Sequence, residues 1–274
     1  MAADQQTSLE RRTMCGVSFV ETNAGSGLPL VMLHGIGSNA ASFVPLMRSL
    51  ASTRRMLAWD APGYGASVPL DGDWPMAADY ARKLADVLDA LGHARIDLIG
   101  HSLGALVAGS FAALFPERVA RLILISPALG YSTKPGEPLA PGAAGRLDAM
   151  LSEGASGFAA TRGPRLVYRP ESRPEVAAAV TAAMAEVKMP GYRQASRMLS
   201  CGDLVAEAQR IAILTRVIVG AHDQITPPPN CRRLYDALVD ATPLLGHRFD
   251  LVADAGHAVC QERPDEIARL VMEQ

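Results

Sequence analysis

Arg95-Ile96-Asp97-Leu98-Ile99-Gly100-His101-Ser102-Leu103-Gly104-Ala105-Leu106-Val107-Ala108-Gly109-Ser110 decides the fold. It opens on a short, mostly apolar run, passes through a serine bracketed by two glycines, and continues as a helix-length pattern to Phe115. Leu106, Gly109, Ser110 and Ala113 recur at helical spacing, and their small side chains permit close packing on a sheet. A serine hydroxyl is a poor nucleophile unless one group removes its proton and another receives the oxyanion. Gly-x-Ser-x-Gly supplies the geometry, because both glycines permit a sharp strand-to-helix turn that lifts the hydroxyl clear of the backbone. Chance gives on the order of 0.1 such matches in a chain of this composition, so the flanking strand and helix signals carry the weight.

The same alternation extends outward. Leu28–Leu33, Met56–Trp59, Leu122–Ile125, Ile213–Val219 and Phe249–Val252 read as short buried strands. Ala41–Leu50, Pro75–Leu91 and Pro229–Val239 read as helices, and Ser18–Glu21 as an antiparallel edge strand. Strands alternating with helices predict an α/β fold, a mainly parallel sheet with helices on both faces. From Tyr131 to Val205 no strand run occurs. Pro174-Glu175 opens a helix there whose Val176, Val180, Met184 and Val187 form one apolar stripe. Residues 131–205 are therefore expected to be a helical cap inserted into a core built from 1–130 and 206–274.

The chain has 274 residues, 49% hydrophobic and 20% charged, enough for one large core and against general disorder. A formal charge of −2 and the lack of a basic run argue against nucleic acid as a partner. Thr22–Met47 and Leu98–Pro116 lack charge but are broken by glycine, proline and polar residues, so no membrane span is expected. The polar start lacks a secretory pattern, and scattered Cys15, Cys201, Cys231 and Cys260 suit free thiols in a cytoplasmic protein. No metal or cofactor is expected, a small-molecule substrate is, and a homo-oligomer is compatible with this composition.

A base must serve Ser102. His257, in the loop Asp254-Ala255-Gly256-His257-Ala258 after the last strand, is the best placed. His93 reads as a helix-end residue, His247 as a surface residue and His101 as packing support. Asp223, in a loop after the Ile213–Val219 strand, is the acid that fixes the imidazole, ahead of Asp254 and Asp60. A second oxyanion donor is sought in Leu33-His34-Gly35-Ile36-Gly37, where a strand runs into a small-residue turn. Gly35-Ile36-Gly37-Ser38-Asn39-Ala40, with Asp60 after the next strand, also fits a dinucleotide fingerprint, but that reading leaves Ser102, Asp223 and His257 unexplained. His34 and Arg197 are candidate substrate contacts.

Together, His34–Gly37, Trp59-Asp60-Ala61-Pro62-Gly63-Tyr64-Gly65-Ala66-Ser67, Gly100–Gly104, Gly220–Asp223 and Gly256-His257 resemble the α/β-hydrolase superfamily. The resemblance covers nearly everything outside Tyr131–Val205. It implies an eight-stranded sheet, a helical lid, a Ser102–Asp223–His257 triad and oxyanion donors on the backbone of Ile36 and Leu103. The Trp59–Gly65 stretch is similar to enzymes of aromatic breakdown, both carbon–carbon hydrolases and enol-lactonases. The carbon–carbon hydrolases usually carry asparagine before the nucleophile and tryptophan after the histidine. His101 and Ala258 depart from that pattern and favour ester or lactone hydrolysis. A cofactor-free lyase or oxygenase and a ligand receptor are the rival activities on this fold. Arg162, Arg165, Arg169, Arg193 and Arg197 are the cap cations; most are read as solvated, and one of them is a candidate to clamp a substrate carboxylate. Met150, Met184, Met189 and Met198 are read as lid core.

Overall fold

The computed structural model describes residues 8–22, 25–50 and 54–273. Its strands are β1 Leu9–Met14, β2 Val17–Thr22, β3 Leu30–Leu33, β4 Met56–Trp59, β5 Ile96–His101, β6 Val119–Ile125, β7 Thr215–Gly220 and β8 Arg248–Val252. They form one open eight-stranded sheet in the order β1-β2-β4-β3-β5-β6-β7-β8. The pairs β1/β2 and β2/β4 are antiparallel and all others parallel.

Along β3 the side chains alternate, Val31 and Leu33 entering one apolar layer and Leu30 and Met32 the other. Burial on both faces is why the parallel strands read as continuous apolar runs. Helices α1 (Val44–Ser49), α2 (Ala77–Ala90) and α3 (Gly104–Leu114) precede a strand-free run of helices, α4 (Pro141–Arg162), α5 (Pro174–Ala185) and α6 (Gly191–Cys201). The chain returns through α7 (Leu204–Ala208) and α8 (Pro228–Ala241) and ends in α9 (Val259–Glu262) and α10 (Pro264–Met272). Helices α2, α3 and α8 cover one face through Tyr80, Leu84, Leu106, Phe111 and Leu234. Helices α1, α9 and α10 cover the other through Leu46, Met47, Val259, Ile267 and Val271. Each such side chain contributes about 1.5–3 kcal/mol on leaving water.

No strand interrupts residues 126–214, as the missing apolar runs predict. Val180, Met184 and Val187 are buried, whereas Val176 at the start of the stripe is only partly so. Two expectations fail. Ser18–Glu21 lies within β2, which is interior, and the true edge is β1. β1 is Leu-Glu-Arg-Arg-Thr-Met, held by main-chain pairing with its side chains largely exposed, so it carries no apolar signal. His247 is buried rather than superficial. Its Nδ1 accepts from Thr215 N–H at 3.1 Å and its Nε2 meets Thr242 Oγ1 at 2.7 Å, fastening the entry to β7.

Register sets the position of the site. His101 pairs with Ile125 and Ile125 with Ile218, while Gly220 pairs with Val252. The chain therefore leaves β5, β6, β7 and β8 along one edge of the sheet, the edge where ligands bind in open α/β folds.

Candidate active site

Ser102 follows the last residue of β5 with φ at 52°, a left-handed conformation rare for a residue with a side chain. Its N–H donates to Ile125 O at 2.9 Å and its own carbonyl accepts from Ala105 and Ala128, which hold the strained turn. A Cβ on Gly104 would lie 2.8 Å from His34 O, so only glycine lets α3 start against the end of β3. The serine is thereby presented at the N-terminus of α3, whose dipole favours negative charge nearby.

His257 arrives from the loop after β8. Its Nδ1 lies 2.9 Å from Asp223 Oδ2, and both side chains are buried. The other carboxylate oxygen accepts from Ile225 N–H at 2.8 Å and Thr226 N–H at 2.9 Å. Thr226 Oγ1 lies 2.9 Å from Asp223 Oδ2, 2.9 Å from Ser126 O and 3.2 Å from His257 Nδ1. Burial alone would raise the pKa of Asp223, but the facing imidazole and the Thr226 N–H hold it well below the usual carboxylate range. An ionised Asp223 accepts a hydrogen bond from Nδ1–H of His257, the tautomer that leaves Nε2 as the acceptor.

His257 and Ser102 line the same cavities. Ser102 Oγ is not hydrogen-bonded to the imidazole; in unliganded enzymes such bonds are often long and tighten when substrate binds. The loop bearing His257 is fixed by two further residues. His101 Nε2 donates to His257 O at 2.9 Å, which fits its reading as packing support. Burial pushes the pKa of His101 down to about 3, and the neighbouring His257 acts in the same direction.

The turn after β3 lies directly against Ser102. A Cβ on Gly35 would sit 2.8 Å from Ser102 Cβ and 3.2 Å from its Oγ. The backbone N–H groups of Ile36 and Leu103 donate to no described protein group. Ile36 and Ser102 are common to three cavities that meet here. One runs toward Gly130, Tyr131 and Asn230 and holds about 100 Å³. A second runs toward Phe43, Val180 and Gln261, and the third up into the cap between Phe158, Met184 and Tyr192.

Other candidates lie elsewhere. His34 is turned into the protein: its Nε2 accepts from Ala61 N–H at 2.9 Å and its Nδ1 donates to Gly35 O at 2.8 Å. Both ring nitrogens are occupied, so His34 shapes the turn and has none to offer a substrate. Arg197 stacks on Trp74 at 4.6 Å and donates to Asp73 O at 2.6 Å, away from the three cavities. Asp60 is fully buried and accepts from Ala40 N–H, Ser18 Oγ and Arg11, so no ribose can reach it. Asp254 pairs at the surface with Arg263 at 3.2 Å.

Sequence reasoning missed two features. Arg146 of α4 lines two of the three cavities beside Ser102, and an arginine in an insertion without a motif carries no signal of its direction. Glu262 is buried in α9 and accepts from Gly256 N–H and Tyr168 N–H, both at 2.9 Å, and from Arg173 at 3.0 Å. It ties the cap to the loop that carries His257. Burial raises the pKa of Glu262, against the opposing pull of those N–H groups.

An open, mostly parallel sheet with a serine at a strained turn, sharing a cavity with an Asp-bonded imidazole at the strand ends, is the architecture of the α/β-hydrolase class. The chain belongs to the alpha/beta hydrolase family, whose model matches residues 30–270. Among proteins of similar sequence is the 2-hydroxy-6-oxo-2,4-heptadienoate hydrolase of Pseudomonas putida, 37% identical over 119 residues, 41% of this chain and 43% of that protein. An uncharacterised protein of Mycobacterium tuberculosis is 39% identical over 119 residues, 43% of this chain and 35% of its own length. The chain thus spans less than half of these relatives. Among solved structures, the enol-lactonase of Burkholderia xenovorans superposes with a TM-score of 0.80 at 24% identity, covering 96% of this chain and 98% of that one. An esterase of Thermogutta terrifontis gives a TM-score of 0.80 at 23% identity, covering 96% of each chain. These two likenesses show the fold. Among the described residues no helix is long and apolar enough to cross a membrane.

Proposed function

We propose that the protein is a serine hydrolase that cleaves a carboxylic ester or lactone of a small organic molecule through an acyl-enzyme. The observation that carries this reading is the Asp223–His257 bond at 2.9 Å, with Ser102 in the same cavity and two unengaged N–H groups beside it. Ser102 Oγ attacks the carbonyl carbon as its proton passes to His257 Nε2, and the imidazolium is stabilised by Asp223. The oxyanion accepts from the N–H groups of Ile36 and Leu103. The imidazolium returns the proton to the departing alkoxide. Water, activated by the same nitrogen, then releases the acid and restores Ser102.

Ser102→Ala should lower kcat/KM on a p-nitrophenyl ester by at least about 10³-fold with the fold intact by circular dichroism. Retained turnover would overturn the proposal. A second reading is carbon–carbon hydrolysis of a ring-cleavage product, favoured by relatives named 2-hydroxy-6-oxo-2,4-heptadienoate hydrolase and 2-hydroxymuconate semialdehyde hydrolase. Against it stand His101, bonded to the His257 carbonyl, and Ala258 in the places where those enzymes usually carry asparagine and tryptophan. Comparing turnover of a dienol ring-cleavage product with that of an enol-lactone separates the two.

A further inference from the structure

We propose that Arg146 and Arg162 form an anion clamp in the cap, and that the ester or lactone carries a free carboxylate bound between them. This rests on the hydrolase reading above and names its substrate class.

Both arginines belong to α4 and line one cavity with Ser102, Ile36 and His257. Sixteen residues along an unbroken helix would separate them by about 24 Å. The helix is broken at Gly154, whose φ of 70° and ψ of 167° kink the chain, and residues from both halves line the same cavity. The break in this helix therefore leaves both guanidinium-bearing residues on the walls of the cavity that Ser102 lines.

Neither arginine forms an ion pair or a hydrogen bond with any described residue. No Asp or Glu lines this cavity, nor the neighbouring one that Arg146 shares with Leu103 and Asn230. Arg162 is half-buried, with only the face of Phe158 against it at 5.5 Å from the ring centre. Its pKa is lowered, first by burial and then by the nearby charges of Arg146 and Arg165. A half-buried cation with a second cation nearby and no acidic partner is unfavourable unless an anion joins them. Cap arginines with other duties are spoken for: Arg173 pairs with Glu262 and Arg197 with Asp73. Guanidinium groups bind carboxylates through paired N–H donors, which fixes orientation as well as charge. Held there, a carboxylate on the acyl or alcohol portion would orient its carbonyl toward Ser102.

The test compares p-nitrophenyl hemiglutarate with p-nitrophenyl valerate, in which a methyl group stands where the carboxylate was. Wild type should favour the hemiglutarate. In the Arg146→Met/Arg162→Met double variant the ratio of the two kcat/KM values should fall about 30-fold, equivalent to about 2 kcal/mol. Arg146→Lys should recover part of the ratio, since charge is kept and the paired donors are lost. Independently, glutarate should raise the melting temperature of the Ser102→Ala protein and leave that of the same protein with both methionines unchanged. An unaltered ratio, or a glutarate shift that survives both methionine substitutions, overturns the clamp while Ser102-dependent turnover of either ester leaves the hydrolase reading standing. If neither ester is turned over yet the arginine-dependent glutarate shift is present, the hydrolase reading fails and the clamp remains.

Discussion

Asp223→Asn isolates the electrostatic half of the site, and the surrounding bonds dictate how the new amide must sit. Asp223 Oδ1 accepts from the Ile225 and Thr226 N–H groups. Those donors require an oxygen, so the asparagine carbonyl occupies that position and its NH2 group takes the place of Oδ2. An N–H donor then faces His257 Nδ1, where the carboxylate lay 2.9 Å away. The ring answers by shifting its proton to Nε2, the atom that must take the proton of Ser102. In the mechanism proposed above, the variant therefore keeps Ser102, the Ile36 and Leu103 N–H groups and the cavity and loses the working tautomer. In a serine protease with this constellation the equivalent change lowers kcat about 10⁴-fold, which corresponds to a barrier about 5.5 kcal/mol higher. Stability should change far less, by about 1–2 kcal/mol, because the amide still meets Thr226 Oγ1 and the two backbone donors. Steady-state kcat/KM on the best p-nitrophenyl ester, alongside urea unfolding of the same preparation, measures both quantities. A loss of less than tenfold while Ser102→Ala is inactive would refute the assignment of Asp223 as the group that sets the tautomer.

Two further outcomes follow from the same geometry. Gly35→Ala places a Cβ within 2.8 Å of Ser102 Cβ, so the turn must retreat and carry the Ile36 N–H away from the developing oxyanion; a loss of about 10²- to 10³-fold in kcat is expected, read by the same ester assay. His101 bears on acid stability. Its folded pKa of about 3 lies below the value near 6.5 of an unfolded imidazole, so its stabilising contribution is complete above pH 6.5 and is lost as pH falls toward 3. At one pKa unit per about 1.4 kcal/mol the loss reaches on the order of 5 kcal/mol, and urea midpoints across that range should drop less steeply in His101→Asn than in wild type.

Strands β3, β4, β5, β6 and β7 were legible because burial on both faces demands uninterrupted apolar runs, a signal independent of what lies beside them. β1 was not, since an exposed edge strand is held by main-chain bonds that any side chain permits. Ser102 was legible because its turn needs glycines at fixed offsets along the chain. His247 and Glu262 were not: each is buried only through partners at the far ends of other elements, Thr215 and Thr242 for one, Tyr168 and Gly256 for the other.

By itself the sequence determined the alternating layers, the extra helices between β6 and β7, and the sharp turn at Ser102, because each rests on local periodicity or local backbone conformation. Only the tertiary structure decided which histidine faces Asp223, that His34 and Arg197 are occupied elsewhere, and that a break in α4 at Gly154 leaves Arg146 and Arg162 lining one cavity with Ser102. Side-chain direction in an insertion depends on packing between segments distant in the chain, and no local pattern encodes it.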